Sequence, residues 1–187
     1  QPLRMENTKY NPPKASMEII APTELDTEYR HRLLHGEVHD ENTYLMGGVS
    51  GHAGVFSTAE DIAKYAQMLV DGGLWQGKRF FTESQIKEFT TVQNLPEGSD
   101  FALGWDTPSQ SGKSIAGDYF TSGSFGHLGF TGTSIWIDPN QEIIIVLLTN
   151  RVHPSRKEGK GSKEMYGIRR MFYNKVMTQL LSEVDSD

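Results

Sequence analysis

The sequence predicts an α+β fold: an antiparallel sheet with a C-terminal helix packed on it, preceded by a helical segment. Three observations carry this. Residues 135–137 and 143–148 are apolar, largely β-branched runs separated by Asp138, Pro139, Asn140 and Gln141, which reads as two strands joined by a tight turn. Upstream, a helix is signalled by a cap at Ser57 or Thr58 and an apolar face. Downstream, residues 164–182 repeat apolar side chains at helical spacing. The order of helices, then strands, then one helix favours segregated layers over alternating βα units.

Composition narrows the classes. At 187 residues the chain fits a single unit, divided into an opening segment with glycine-rich loops (1–57), a helical region (58–100), a sheet (101–150) and a C-terminal helix (164–184). The net charge of −6 is spread among interspersed acids and bases, so no nucleic-acid footprint is expected. Without cysteine the chain has no disulfide, thiol nucleophile or thiolate metal site. No apolar run is long enough to span a membrane, and the first residues lack the pattern of a signal peptide.

In chain order, residues 1–22 hold four prolines and no period, and read as an extended or looping lead-in. Residues 24–36 are read as a short helix. Gly36, Gly47, Gly48, Gly51 and Gly54 then mark a long loop, a length that more often serves function than filling. In the helix from Thr58, Glu60 or Asp61 reaches back to the cap, Ile62, Ala66, Leu69 and Val70 share a face, and Gly72 and Gly73 stop it. A shorter helix is expected over residues 82–90, with Ile86 and Phe89 inward. Residues 101–120 suggest two short strands around an exposed loop at 109–114, and the fully apolar run 143–148 suits a strand covered on both faces. Residues 151–163 are charged and expected to be flexible. Met165, Ile168, Phe172, Val176 and Leu180 form the predicted inner face of the last helix.

Serine chemistry needs a base or lysine within reach of the nucleophile and donors for an oxyanion. The literal S-x-x-K, Ser84 to Lys87, falls on the solvated side of its helix, where lysine keeps its ordinary pKa. A G-x-S-x-G elbow is absent, Ser122 standing where its first glycine would be. His31, His35 and His39 are spaced by four with His52 nearby, yet Gly36 interrupts them and no metal signature accompanies them, so loop histidines are the preferred reading over a metal site. His127 opens the box HLGFTG, where Gly126, Gly129 and Gly132 recur every three residues. Such glycines mean either that something, often a ligand, approaches the backbone or that the strand is bent. His127 is accordingly either part of an anion or oxyanion pocket or a half-buried strand histidine.

Three stretches then resemble the serine β-lactamase and penicillin-binding-protein-like hydrolases, a family that includes class C β-lactamases, DD-peptidases and esterases. PLRMENT is similar to the family's PLGM-x-x-T. GGVSGHAGVFSTAEDIAKYAQMLVDGG is similar to its A-G-x-x-S-T-x-x-D segment, and FGHLGFTGTSIWIDP with LLTNR to its strand box and following strand. The resemblance implies a β-lactamase/transpeptidase-like fold and an acyl-enzyme acting on an ester, amide or β-lactam bond, with no cofactor or metal. It places His127, Leu128 and Gly129 on the family's K-T-G or H-T-G triplet. The backbone N–H of Phe130 becomes an oxyanion donor, and Gly129, Thr131 and Gly132 line the substrate. Leu128 replaces a threonine that can contact a substrate carboxylate, which shifts the expectation toward an ester or another amide. The family's S-x-x-K and Y-x-N precede its PLGM segment, so the chain is expected to be the C-terminal part of a larger catalytic domain, inert alone, with the N-terminal remainder as its partner. A small-molecule or peptidoglycan-like substrate and a periplasmic or secreted location are implied; the alternative is a noncatalytic cell-wall or ligand-binding domain of the same fold.

Overall fold

The computed structural model describes residues 2–109, 114–157 and 161–184, and the expected loop at 109–114 lies largely outside them. Its centre is a three-stranded antiparallel sheet in the order β5 (Phe125–Leu128), β6 (Ser134–Asp138), β7 (Ile143–Leu147). Trp136 lies opposite Gly126 and Ile145, and Ile137 opposite Phe125 and Ile144. Because side chains alternate, this register sorts the sheet into two faces. On one, Trp136 and Ile145 join Phe120, Tyr173 and Met177; on the other, Phe125 and Ile137 join Ala66, Met68 and Leu69.

Apart from Phe120, which lies in the loop before β5, those partners come from two helices, α2 (Ala59–Val70) and α4 (Ser162–Val184), which therefore cover opposite faces of the sheet. The apolar run of β7 is explained by this double cover, although its flanking residues are only half-buried and Leu148 is exposed. Thr58 caps α2 by accepting from Asp61 N. Asp61 does not reach back to the cap. Its buried carboxylate accepts from Asn7 N, Thr8 Oγ1 and Lys64 Nζ at 2.8, 3.0 and 2.8 Å, stitching the chain's start to α2. The expected turn at residues 138–141 forms around Asp138, whose fully buried carboxylate accepts from Asn140 N, Gln141 N and the side chain of Gln141, and also from Thr121.

Several expectations are corrected. Residues 24–36 form no helix but a small hairpin, β1 (Leu25–Asp26) with β2 (Arg32–Leu33), because Asp26 accepts three successive backbone N–H groups from Glu28, Tyr29 and Arg30 and turns the chain. A short helix α1 (Glu41–Leu45), capped by Asp40, sits inside the glycine-rich passage. A second hairpin, β3 (Leu74–Trp75) with β4 (Lys78–Arg79), follows α2. In α3 (Glu83–Thr90) the Thr82 and Gln85 capping box forms and Ile86 packs inward, but Phe89 is exposed. The described residues of 101–120 contribute isolated bridges in place of two strands: Asp106 pairs with Phe101 and with Gly126 on the outer side of β5.

Helix α4 turns a different side inward than the apolar residues suggest. Met165, Arg169, Tyr173 and Met177, spaced by four, are buried; Phe172 and Val176 flank them, and Leu180 is exposed. The charged segment after β7 is tied down over its described part: Val152 is fully buried, Leu25 N donates to Pro154 O at 2.8 Å, and Arg156 binds Glu24 and Glu41 at 2.7 Å each. Residues 158–160 of that segment lie outside the described residues.

Candidate active site

The HLGFTG box ends β5 and turns into β6. The three glycines are required by the protein's own packing: a Cβ on Gly126 would lie 2.3 Å from Ile135 O and 2.5 Å from the Trp136 ring, and one on Gly129 would lie 2.1 Å from Thr133 Oγ1. Gly132, at φ +113°, occupies a conformation that disfavours a side chain. Thus what approaches this backbone is the adjacent strand and turn.

In that turn every carbonyl from residue 129 to 133 is bonded. Gly129 O accepts from Gly132 N at 3.1 Å and Arg169 Nη2 at 2.9 Å; Thr133 O accepts from Gly129 N at 2.8 Å and Arg169 Nη2 at 2.9 Å. Phe130 O accepts from Arg151 Nε at 2.7 Å, Thr131 O from Arg151 N at 2.9 Å, and Gly132 O from Thr149 Oγ1 at 2.7 Å. The N–H groups of Phe130 and Thr131 have no partner among the described residues. The turn therefore holds its acceptors inward and leaves two successive donors unused, the polarity a negative charge requires.

His127 is exposed beside this turn. Its Nδ1 lies 3.0 Å from Leu128 O, and since a carbonyl only accepts, Nδ1 is the donor of that bond and Nε2 remains for another partner. His127, Leu128 and Tyr166 line an open groove of about 720 Å³ with Phe101, Asp106 and Thr107. Burial pushes the Asp106 carboxyl up, while the Thr107 N–H and nearby His127 pull it down by less. A smaller cavity of about 160 Å³ lies between Leu128, Gly129 and Phe130 on one side and Met165, Tyr166, Arg151 and Arg169 on the other.

The Phe130 ring is held from the opposite end of the sequence. His39 stacks on it with centroids 5.6 Å apart, and the guanidinium carbons of Arg151 and Arg156 lie 4.4 and 5.7 Å from its centre. His39 in turn contacts buried Glu24 at 2.8 Å, which also takes Arg156. Burial pushes the His39 imidazole below its ordinary pKa, and neighbouring Arg156 adds to this, against the pull of Glu24. His39 thus lies in a loop, between β2 and α1, as expected, but it is buried there rather than on the surface. The other histidines go elsewhere: His35 Nε2 meets Ile20 O at 2.7 Å, and His52 sits between Ser50 Oγ (2.7 Å from Nδ1) and Asp40 Oδ1 (3.2 Å from Nε2).

That last chain has the connectivity of a serine triad, with His52 exposed and Ser50 and Asp40 half-buried. The literal S-x-x-K is different: Ser84 and Lys87 are both exposed, and Ser84 Oγ bonds Thr82 Oγ1 at 2.9 Å. The sequence reading missed Arg151, Arg169 and Asp106. Arg169 could have been found from its place midway between Met165 and Tyr173, four residues from each.

Comparison with known proteins places the chain in a family and fold. The family model described as Beta-lactamase matches residues 1–165. A protein of Salmonella agona (strain SL483) named as a D-alanyl-D-alanine carboxypeptidase is 36% identical over 167 residues, covering 82% of this chain and 38% of its own length. The chain thus spans well under half of that relative. Among solved structures, the hydrolase EstCE1, titled as having promiscuous acyltransferase activity, overlays with a TM-score of 0.54 at 17% identity, over 92% of this chain and 48% of its own. A β-lactamase from Mycobacterium bovis overlays with a TM-score of 0.52 at 23% identity, over 68% and 46% of the two chains. At these identities the overlays establish the fold, a β-lactamase/transpeptidase-like one. The match over most of its length, with the 36% identical relative, shows that the chain belongs to the beta-lactamase family.

Proposed function

We propose that this chain supplies the oxyanion strand and one pocket wall of a serine hydrolase that forms an acyl-enzyme on an ester, amide or β-lactam bond. The carrying observation is the turn at residues 129–133, with its carbonyls tied and the Phe130 N–H unused at the end of β5. Phe130 N–H receives the developing oxyanion, and His127, through Nε2, takes part in the proton network at the groove; Gly129, Thr131 and Gly132 form the edge along which substrate lies. The nucleophile belongs to a segment upstream of Gln1, in the same catalytic domain. This is supported by the chain's 38% share of its relative's length and by the exposed Ser84, whose Oγ bonds Thr82 Oγ1 rather than Lys87 among the described residues. Exposed Leu45, Met46, Val49 and Val55 on the glycine-rich passage are the apolar surface for that segment to cover. The relative's name favours a peptide substrate, and Leu128, which offers no hydroxyl to a carboxylate, favours an ester or another amide. A periplasmic or secreted location goes with this reading.

The test is His127→Ala in the protein carrying its upstream segment, assayed against an ester, a β-lactam and a D-alanyl dipeptide. Turnover should fall about 10²-fold or more, as for loss of a general acid or base, with little change in melting temperature because His127 is exposed. Unchanged turnover removes His127 from the mechanism; a wild-type protein that binds these compounds without hydrolysing any would support the ligand-binding alternative.

A further inference from the structure

The two unused N–H groups belong to peptide units whose carbonyls are held by arginines. The Gly129–Phe130 unit gives its carbonyl to Arg169 Nη2 while its N–H has no partner among the described residues; the Phe130–Thr131 unit gives its carbonyl to Arg151 Nε. Arg169 has the more demanding position. It is 3% exposed, its Nε is buried without a partner, and no carboxylate lies within ion-pair distance of it among the described residues. Burial pushes its guanidinium below the ordinary pKa, the facing Tyr173 and Tyr166 pulling the other way and Arg151 adding to the fall.

A buried cation without an acid is costly, and it persists where the surrounding dipoles need it. Here the dipoles are two carbonyls across the neck of one turn. A cation donating to a peptide carbonyl draws electron density away from the N–H of the same unit and strengthens it as a donor, an effect that grows in a low-dielectric interior. We propose that Arg169 is a positioning residue for the oxyanion donor: it locks the turn through Gly129 O and Thr133 O and polarises the Gly129–Phe130 peptide so that Phe130 N–H binds negative charge more strongly. The inference rests on the hydrolase reading for its kinetic consequence, but not for its physical one.

The experiment uses the protein with its upstream segment, as wild type, Arg169→Met and Arg169→Lys. Glycine labelled at the carbonyl carbon and phenylalanine labelled at nitrogen report the Gly129–Phe130 unit, the one Gly-Phe pair in this chain. In R169M the Phe130 amide proton moves upfield and the Gly129 carbonyl signal shifts, with R169K between R169M and wild type. Acylation by a chromogenic ester slows about tenfold in kcat with KM within twofold, a fraction of the 10²–10³ lost on deleting an oxyanion donor. Unmoved peptide signals in the folded variant overturn the proposal, as do moved signals with unchanged acylation. If the wild type does not acylate, the hydrolase reading fails and the labelled peptide alone decides on Arg169. Should R169M fail to fold, R169K is compared with wild type by the same criteria.

Discussion

Asp138→Ala removes the group that closes the central hairpin, and its cost can be worked from the contacts. Five hydrogen bonds converge on this carboxylate: Thr121 N and Oγ1, Asn140 N, Gln141 N and Gln141 Nε2, at 2.7 to 3.2 Å. The two side-chain donors can turn toward water, whereas the three backbone N–H groups cannot follow them. At about 1 kcal/mol for each partly buried donor left unpaired, the loss is about 3 kcal/mol. A chain of this size loses about 2–4 °C per kcal/mol, so the melting temperature should fall by about 6–12 °C. Asp138→Asn keeps the shape but presents an NH₂ to donors, and should lose about 2 kcal/mol. Burial raises the Asp138 carboxyl, but the hydrogen bonds from Thr121 and Gln141 outweigh this and hold it below its ordinary 3.8. A depressed folded pKa gives stability that is present above the unfolded value and lost as pH falls through the folded one. The difference between wild type and D138N should therefore narrow below about pH 3.8. Thermal unfolding by circular dichroism measures both effects. A D138A shift under 2 °C, or a wild-type/D138N gap indifferent to acid, would refute the hairpin argument.

Tyr173 offers an alkaline counterpart, since burial pushes its phenol up to about 12 despite the bond to Ser134 and the nearby Arg169. Ultraviolet titration should find one tyrosine silent until about pH 12, and Tyr173→Phe should cost about 1 kcal/mol by orphaning Ser134 Oγ. With the folded pKa raised, its contribution is complete below the unfolded value near 10 and disappears as pH rises toward 12. Arg4 sits at φ +53°, where the family pattern PLGM has glycine. Arg4→Gly relieves left-handed strain and should stabilise the chain by about 0.5–1 kcal/mol in urea unfolding; destabilisation would mean that the arginine side chain compensates for its backbone.

The central hairpin, its turn, helix α2 and the existence of α4 were legible because each is written in local periodicity and caps. The rest depended on contacts distant in sequence. Asp26 overrode helical spacing at residues 24–36 by collecting backbone N–H groups. Arg169 and Tyr173 hid the inward line of α4, since an apolar count discards both although they are buried at the same spacing as Met165 and Met177. At the site, the HLGFTG box pointed to His127, Gly129 and Phe130, but their glycine spacing reflects Trp136 and Thr133 packing, which no local rule reveals. His39 and Arg156 reach Phe130 across 91 and 26 positions of sequence, beyond any motif.

The most direct test of the central claim is intact-mass measurement and peptide mapping after exposure to a fluorophosphonate. The account predicts that the 187-residue chain, shown to be folded, takes no adduct, while the protein with its upstream segment takes one, on a serine preceding Gln1. An adduct mapped to Ser50, within the Asp40 and His52 chain, or to Ser84, would contradict it and place the nucleophile in this chain.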